Sequence, residues 1–272
     1  MSVIKSVEEI ALDEARRRAR AVVDRFRQAI RPIYGPDRNL LAHVGTGTLL
    51  QFQGMRLVVT AAHIVDQHGP GLWIGGEKTA VPLVGEFHRT AAPNEDRALD
   101  KYDFAASIVN EELTATLGKV GYIPSECIIT SRPEIPQGSL YAAVGYPNSQ
   151  NKDIHVSKRE AIARLWMHVG AGKSSCKALD WATASNAHLF LTFDKYASNA
   201  DGTRRNSTNP RGTSGGPIFH LGNFGDPETY RADKPLQPTL DAIVVERSTQ
   251  ARVLIGVRVG AIVSALQIAK VV

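Results

Sequence analysis

Five short runs constrain the fold more than any other feature: GTGTLLQF (45–52), RLVVTAAH (56–63), DFAASIV (103–109), SLYAAVGY (139–146) and HLFLTF (188–193). Each is rich in β-branched, aromatic or small apolar residues, and clusters of Gly, Pro, Asn, Asp and Ser separate them. That is the pattern of many short strands joined by turns. No repeat of about 20–50 residues recurs and no strand–helix alternation is visible, which argues against solenoids and doubly wound parallel sheets. A mainly β, antiparallel barrel architecture remains. At 272 residues and 43% hydrophobic content, the chain can bury one substantial core or two coupled ones.

The N-terminal segment differs in character. In SVEEIALDEARRRARAVVDRFRQAI, Ser6 and Glu9 form a capping-box signal, and Val7, Ala11, Ala15, Ala19, Val22, Phe26 and Ile30 recur at helical spacing. Arg31-Pro32 predicts the helix end, so residues 1–35 are expected as an amphipathic helix and 36–272 as the β body, in halves of approximately 36–135 and 136–272. The polar face carries Arg16, Arg17, Arg18, Arg20, Arg25 and Arg27. A solvated face on a docked helix is the simpler reading; a surface for a regulatory protein, an anionic membrane or RNA is the alternative.

A net charge of +5 is too small to imply nucleic acid by itself. The N-terminus lacks the apolar stretch of a secretory leader, and no run reaches the about 20 apolar residues of a membrane span. Cys127 and Cys176 lack CxxC spacing, and the histidines lack HExxH spacing, so no disulfide framework, metal site or cofactor is expected. The reading is of a soluble protein of the cytoplasm.

RGTSGGPIF (211–219) packs three glycines and two hydroxyl side chains ahead of an apolar strand, after the polar stretch 198–213. A tight turn would explain the glycines alone. A serine nucleophile would need more, because a neutral hydroxyl requires a histidine to take its proton and a carboxylate to orient that histidine. His63 follows the apolar run Leu57-Val58-Val59 and the small residues Thr60-Ala61-Ala62, and Asp103 opens DFAASIV at the mouth of another apolar strand. Asp96 and Asp100 compete for the acid role, with no apolar strand directly after them. His68, in DQHGPG, reads as a loop residue without a role.

GTGTLL, RLVVTAAHIV, DFAASIV, AVGYP and GTSGGPIF, in that order, resemble the trypsin-like serine peptidases of the chymotrypsin fold, especially the bacterial intracellular and stress-type branch. The resemblance implies two packed antiparallel β-barrels, with LIGVRVGAIVSAL (254–266) as the last strand running into a C-terminal helix. It makes His63 the general base, Asp103 the orienting carboxylate and Ser214 the nucleophile, with the N–H groups of Gly212 and Ser214 as the oxyanion hole. The implied activity is a regulated serine endopeptidase acting on protein or peptide substrates; a catalytically silent peptide-binding or scaffolding module of the same fold is the alternative.

Two departures from the family bear on activation. Ile64 stands where extracellular members carry a cysteine, and Thr213 stands where digestive and clotting members carry an aspartate paired with a newly cut N-terminus. Activation by cleavage is therefore not expected, and other contacts must order the oxyanion loop. For specificity, the resemblance puts Thr208 at the base of the substrate pocket and Val245 and Glu246, in DAIVVERS (241–248), on its wall. Threonine offers no charge to Lys or Arg, so no basic preference is expected; a pocket-facing Glu246 would reverse that.

Overall fold

The computed structural model describes residues 6–77, 79–131, 134–151, 154–155, 163–179, 186–194, 196–198, 204–230 and 237–272. Residues 199–203 of the polar stretch before the serine lie outside them.

The first half builds one antiparallel sheet from β1 (Ile30–Asp37), β2 (Leu40–Phe52), β3 (Met55–Ala61), β4 (Trp73–Gly75), β5 (Ala80–Pro82), β6 (Phe87–Arg89) and β7 (Phe104–Ile108), in the order β5-β4-β1-β2-β3-β7-β6. Two short helices interrupt it, α2 (Ala62–His68) after β3 and α3 (Glu111–Leu117) after β7. The second half begins with β8 (Ser139–Gly145); β9 (Ile154–His155) then returns to pair with β2. β10 (Trp166–Lys173), β11 (His188–Thr192), the small hairpin β12 (Tyr196–Ser198) and β13 (Arg204–Asn206), β14 (Pro217–Asn223), β15 (Thr239–Ser248) and β16 (Val253–Arg258) follow. β10-β11-β16-β15-β14-β8 close into a barrel, and α4 (Val259–Ile268) ends the chain's regular structure. Each of the five β-rich runs of the sequence contributes a strand to one of these two sheets.

Strand periodicity explains the core. Along β8, Tyr141 and Ala143 join one buried cluster while Ala142 and Val144 join another; along β11, Leu189 and Leu191 part from Phe190 in the same way. Successive side chains point to opposite faces, so a strand apolar on both faces is buried on both. The inward set packs with Ile218, Ala242, Val244 and Leu254 inside the barrel, and the outward set joins the larger core shared with the first sheet and α1.

The first sheet and the closed six-strand barrel, flanked by an N-terminal and a C-terminal helix, form the expected chymotrypsin-like two-barrel arrangement. One expectation needs correction. The N-terminal helix is shorter than its apolar spacing suggests. α1 spans Val7–Phe26, a 3₁₀ turn covers Arg27–Ala29, and Ile30 already pairs with Thr48 as the first residue of β1. The expected boundary at 35/36 therefore cuts a strand of the β body. Pro32 disfavours helical backbone at Arg31, and the β-branched Ile30 gains a ladder partner instead.

The capping box forms as read, with Glu9 N–H on Ser6 Oγ at 3.2 Å and Ser6 N–H on Glu9 Oε2 at 2.7 Å. Ala15, Ala19, Val22 and Phe26 are buried, and Phe26 stacks on Phe219 of β14 with centroids 5.4 Å apart. The basic face is partly structural: Arg18 donates to the carbonyls of Leu221 (3.1 Å) and Thr229. No helix among the described residues is long and apolar enough to cross a membrane.

Candidate functional site

β3 delivers His63 to the first turn of α2, where the small Ala61 and Ala62 let the chain turn from strand to helix. Asp103 stands just before β7, the neighbour of β3, so strand pairing brings the two residues together across 40 positions of chain. Asp103 Oδ2 lies 2.6 Å from His63 Nδ1, its Oδ1 accepts the His63 backbone N–H at 2.8 Å, and its carbonyl accepts the Ala62 N–H at 2.9 Å. One residue thus fixes both the imidazole and the start of the helix that carries it. Its backbone has φ of 40°, in the left-handed region that non-glycine residues occupy rarely and that asparagine and aspartate favour. Asp96 and Asp100 serve elsewhere: Asp96 caps a 3₁₀ turn through the Ala98 N–H, and Asp100 pairs with Arg97 at 2.5 Å.

The loop 211–216 is held in one shape by its own turns. Thr213 N–H and Oγ1 both donate to the Pro210 carbonyl, at 2.9 and 2.7 Å, and Gly216 N–H donates to the Thr213 carbonyl at 2.9 Å. The Arg211 carbonyl accepts the Asn148 N–H at 2.8 Å. A trans peptide points its C=O and N–H in opposite directions, so these bonds turn the N–H groups of Gly212 and Ser214 away from the Asn148 and Gly216 sides. Gly212 has φ of 95°, and a Cβ there would fall 1.8 Å from Asn148 Oδ1; Gly215 has φ of 89°, and its Cβ would fall 1.9 Å from the Thr46 carbonyl. Only glycine fits either place.

Residues from the first sheet complete the support. Thr46 N–H donates to the Ser214 carbonyl at 2.9 Å, Thr46 Oγ1 to the Gly212 carbonyl at 3.0 Å, and Thr48 Oγ1 to the Gly215 carbonyl at 2.7 Å. Thr60 Oγ1 in turn donates to the Thr46 carbonyl at 2.9 Å, and all three threonines are fully buried. Thr46 Oγ1 also accepts the Tyr146 N–H at 3.0 Å. Burial pushes the Tyr146 phenol up to about 12, which keeps it a donor to the Ile30 carbonyl. His43, Nδ1 to Oδ1 of Asn148 at 2.9 Å, braces the other side.

Sequence reasoning missed this threonine set. Its signal is the alternation in GTGT: residues two apart share one face of a strand, so Thr46 and Thr48 reach the same neighbour. What they reach is fixed only by the packing of the two halves. His68 is likewise more than a loop residue. It ends α2, lines the cleft beside His63, and has its pKa lowered by burial and then by the His63 charge.

His63, Gly212, Ser214, Val245 and Glu246 all line one cleft of about 560 Å³, together with His43, Asn148 and Arg247. Ser214 Oγ donates to the Val245 carbonyl at 3.2 Å. A β-bulge between Val244 and Glu246 takes Val245 out of register with β16 and leaves that carbonyl available to the loop. Thr208 is not among the lining residues: its hydroxyl accepts from Gln150 Nε2 at 3.2 Å, and Asn209, Pro210 and Arg211 face the cleft instead. Both cysteines are free thiols, and among the described residues no three His, Cys, Asp or Glu side chains group as metal ligands.

No protein-family model matches the sequence, and no curated protein matches it. Solved structures do match in fold. The VesB protease of Vibrio cholerae superposes with a TM-score of 0.52 at 10% identity, over 90% of this chain and 64% of that one. The scabies mite inactivated protease paralogue S-D1 superposes with a TM-score of 0.51 at 11% identity, over 90% of this chain and 94% of that one. This chain has the fold of the trypsin-like serine proteases, with an added N-terminal helix.

Proposed function

We propose that the protein is a serine endopeptidase working through an acyl-enzyme. The observation that carries this reading is the convergence of the His63–Asp103 pair and the Ser214 loop on a single cleft. Ser214 Oγ attacks the substrate carbonyl carbon while His63 Nε2 takes its proton; Asp103 keeps the other nitrogen protonated and stabilises the imidazolium. The negative charge that develops on the carbonyl oxygen is met by the N–H groups of Gly212 and Ser214. His63 then protonates the departing amine, and a water molecule, deprotonated by His63, releases the acid and regenerates Ser214. Rotation about χ1 of Ser214 moves its hydroxyl from Val245 to His63; such contacts are commonly loose before substrate arrives.

Labelling by a serine-directed phosphonate and cleavage of a casein-like mixed substrate, with Ser214→Ala as control, test this mechanism. Loss of both in the variant is expected. A variant that cleaves as fast as the parent overturns the mechanism.

A second reading is a silent peptide-binding module. The hydrogen bond of Ser214 Oγ to Val245 favours it, and the fold is shared with a mite paralogue described as inactivated. Against it stands the doubly anchored Asp103, whose unusual backbone a binding module does not need. Undiminished peptide binding by Ser214→Ala, with no turnover of any peptide by the parent, would select this second reading.

A further inference from the structure

Among the described residues, Arg247 is the one arginine on the strand wall of the cleft. It follows the bulge at Val245 and pairs in register with Leu254, which also lines the cleft. Its guanidinium lies over the Phe193 ring, 5.0 Å from the centroid, and its Nη1 touches Asn209 Oδ1 at 3.5 Å, the outer limit of a hydrogen bond. Among the described residues, its Nε is buried with no hydrogen-bond partner and no carboxylate pairs with the side chain. A guanidinium stacked on an aromatic face and short of acceptors is oriented and ready for one more ligand. Glu246 lines the same cleft but does not supply that ligand: it is solvent-exposed, where water screens its charge, and no ion pair joins it to Arg247 among the described residues. Arg211, a second arginine on the lining, is also positive and offers Arg247 no partner.

Two strand residues beyond Val245, whose carbonyl touches Ser214 Oγ, place the Arg247 backbone about 6–7 Å along the wall. An arginine arm and an acidic side chain together span that distance. We infer that the cleft is built for an acidic residue, Glu or Asp, immediately before the scissile bond, held by Arg247 with Asn209 beside it. The inference rests on the endopeptidase reading for the word scissile, but the acidic pocket itself can be measured without turnover. A planar fork meets a carboxylate with two parallel hydrogen bonds, which gives selectivity against apolar and basic residues alike.

Two experiments on the full chain test it. Peptides identical except for the residue before the cleaved bond are compared by kcat/KM, and Ser214→Ala is titrated calorimetrically with the matching product peptides ending in Glu or Leu. Cleavage concentrated after Glu or Asp is expected, with the Glu-to-Leu ratio falling about 10- to 100-fold in Arg247→Gln, the value of a lost charge-assisted hydrogen bond. Arg247→Glu should turn the preference towards Lys or Arg. In the titration the Glu-ended peptide binds more tightly, and the difference disappears in Ser214→Ala/Arg247→Gln. A preference for Leu, Gly or Lys in the parent, or a uniform loss on every peptide in Arg247→Gln, overturns the inference. Arg247-dependent binding of the Glu-ended peptide without cleavage or phosphonate labelling would sustain the acidic pocket and sink the endopeptidase reading.

Discussion

The backbone N–H of Thr46, from the first sheet, donates to the carbonyl of Ser214 at 2.9 Å. The same residue's hydroxyl donates to Gly212 and accepts from Tyr146, so Thr46 ties three points of the second half to the first. Thr213 turns its hydroxyl back on Pro210 within the loop, and the Thr46 contacts add support from across the interface between the two halves.

Thr46→Val keeps the shape of the side chain and removes its hydroxyl. The Gly212 carbonyl and the Tyr146 N–H would then be buried without that partner, at a cost of about 1–3 kcal/mol for an unsatisfied group. Activity should fall through kcat more than KM, because the loop proposed to meet developing charge is loosened while the cleft wall is untouched. Denaturant unfolding beside steady-state kinetics measures both; unchanged kcat with unchanged stability would refute the role given to Thr46.

Gly212→Ala should reduce turnover by about 10²-fold or more while leaving the protein folded, the cost typical of a lost oxyanion donor. The new Cβ meets Asn148 Oδ1 and the Tyr146 carbonyl, and φ of 95° is unfavourable for alanine, so the peptide must move. Circular dichroism and melting establish folding, and phosphonate labelling reports the serine separately.

Asp103→Asn should lower kcat by about 10⁴-fold at neutral pH, since an amide can hold His63 in the wrong tautomer. The substitution also removes an acceptor of the His63 backbone N–H only if the amide turns its nitrogen inward. Asp100→Asn and Asp96→Asn are the comparison variants; a loss of that size in either would reassign the acid.

Stability should fall as pH drops below about 6.5, the ordinary histidine value. Burial lowers the pKa of His168 and of His188, whose Nε2–H groups donate to the carbonyls of Thr192 and Lys101, both at 2.7 Å. With folded values below unfolded ones, the unfolded chain binds more protons, so the contribution is complete above the unfolded pKa and lost as pH falls through the folded one. Melting between pH 8 and pH 5 checks this, and His168→Gln should flatten the profile. A melting temperature that rises on acidification would contradict the sign.

Phe26→Ala should cost about 3–5 kcal/mol, as large buried aromatics do. The ring stacks on Phe219 in the shared core, so α1 is part of the folded body. Chemical unfolding of the variant tests it; a loss under 1 kcal/mol would make the helix a detachable arm.

The sequence by itself determined the strands, the capped amphipathic helix and the residue types a catalytic cleft would need. These are local properties: period-two burial, capping chemistry and glycine-rich turns are written in neighbouring residues. His63 and Asp103 were legible because each sits at the end of an apolar strand run, and Ser214 because its glycines surround it. Tertiary structure alone decided that Thr46, Thr48 and Thr60 hold the loop, that Thr208 turns to Gln150, and that Arg247 faces the cleft. Each depends on register across the two halves and on one bulge at Val245, and a one-residue shift reverses the face of every side chain on a strand. No local pattern records that choice; the packing of the two sheets makes it.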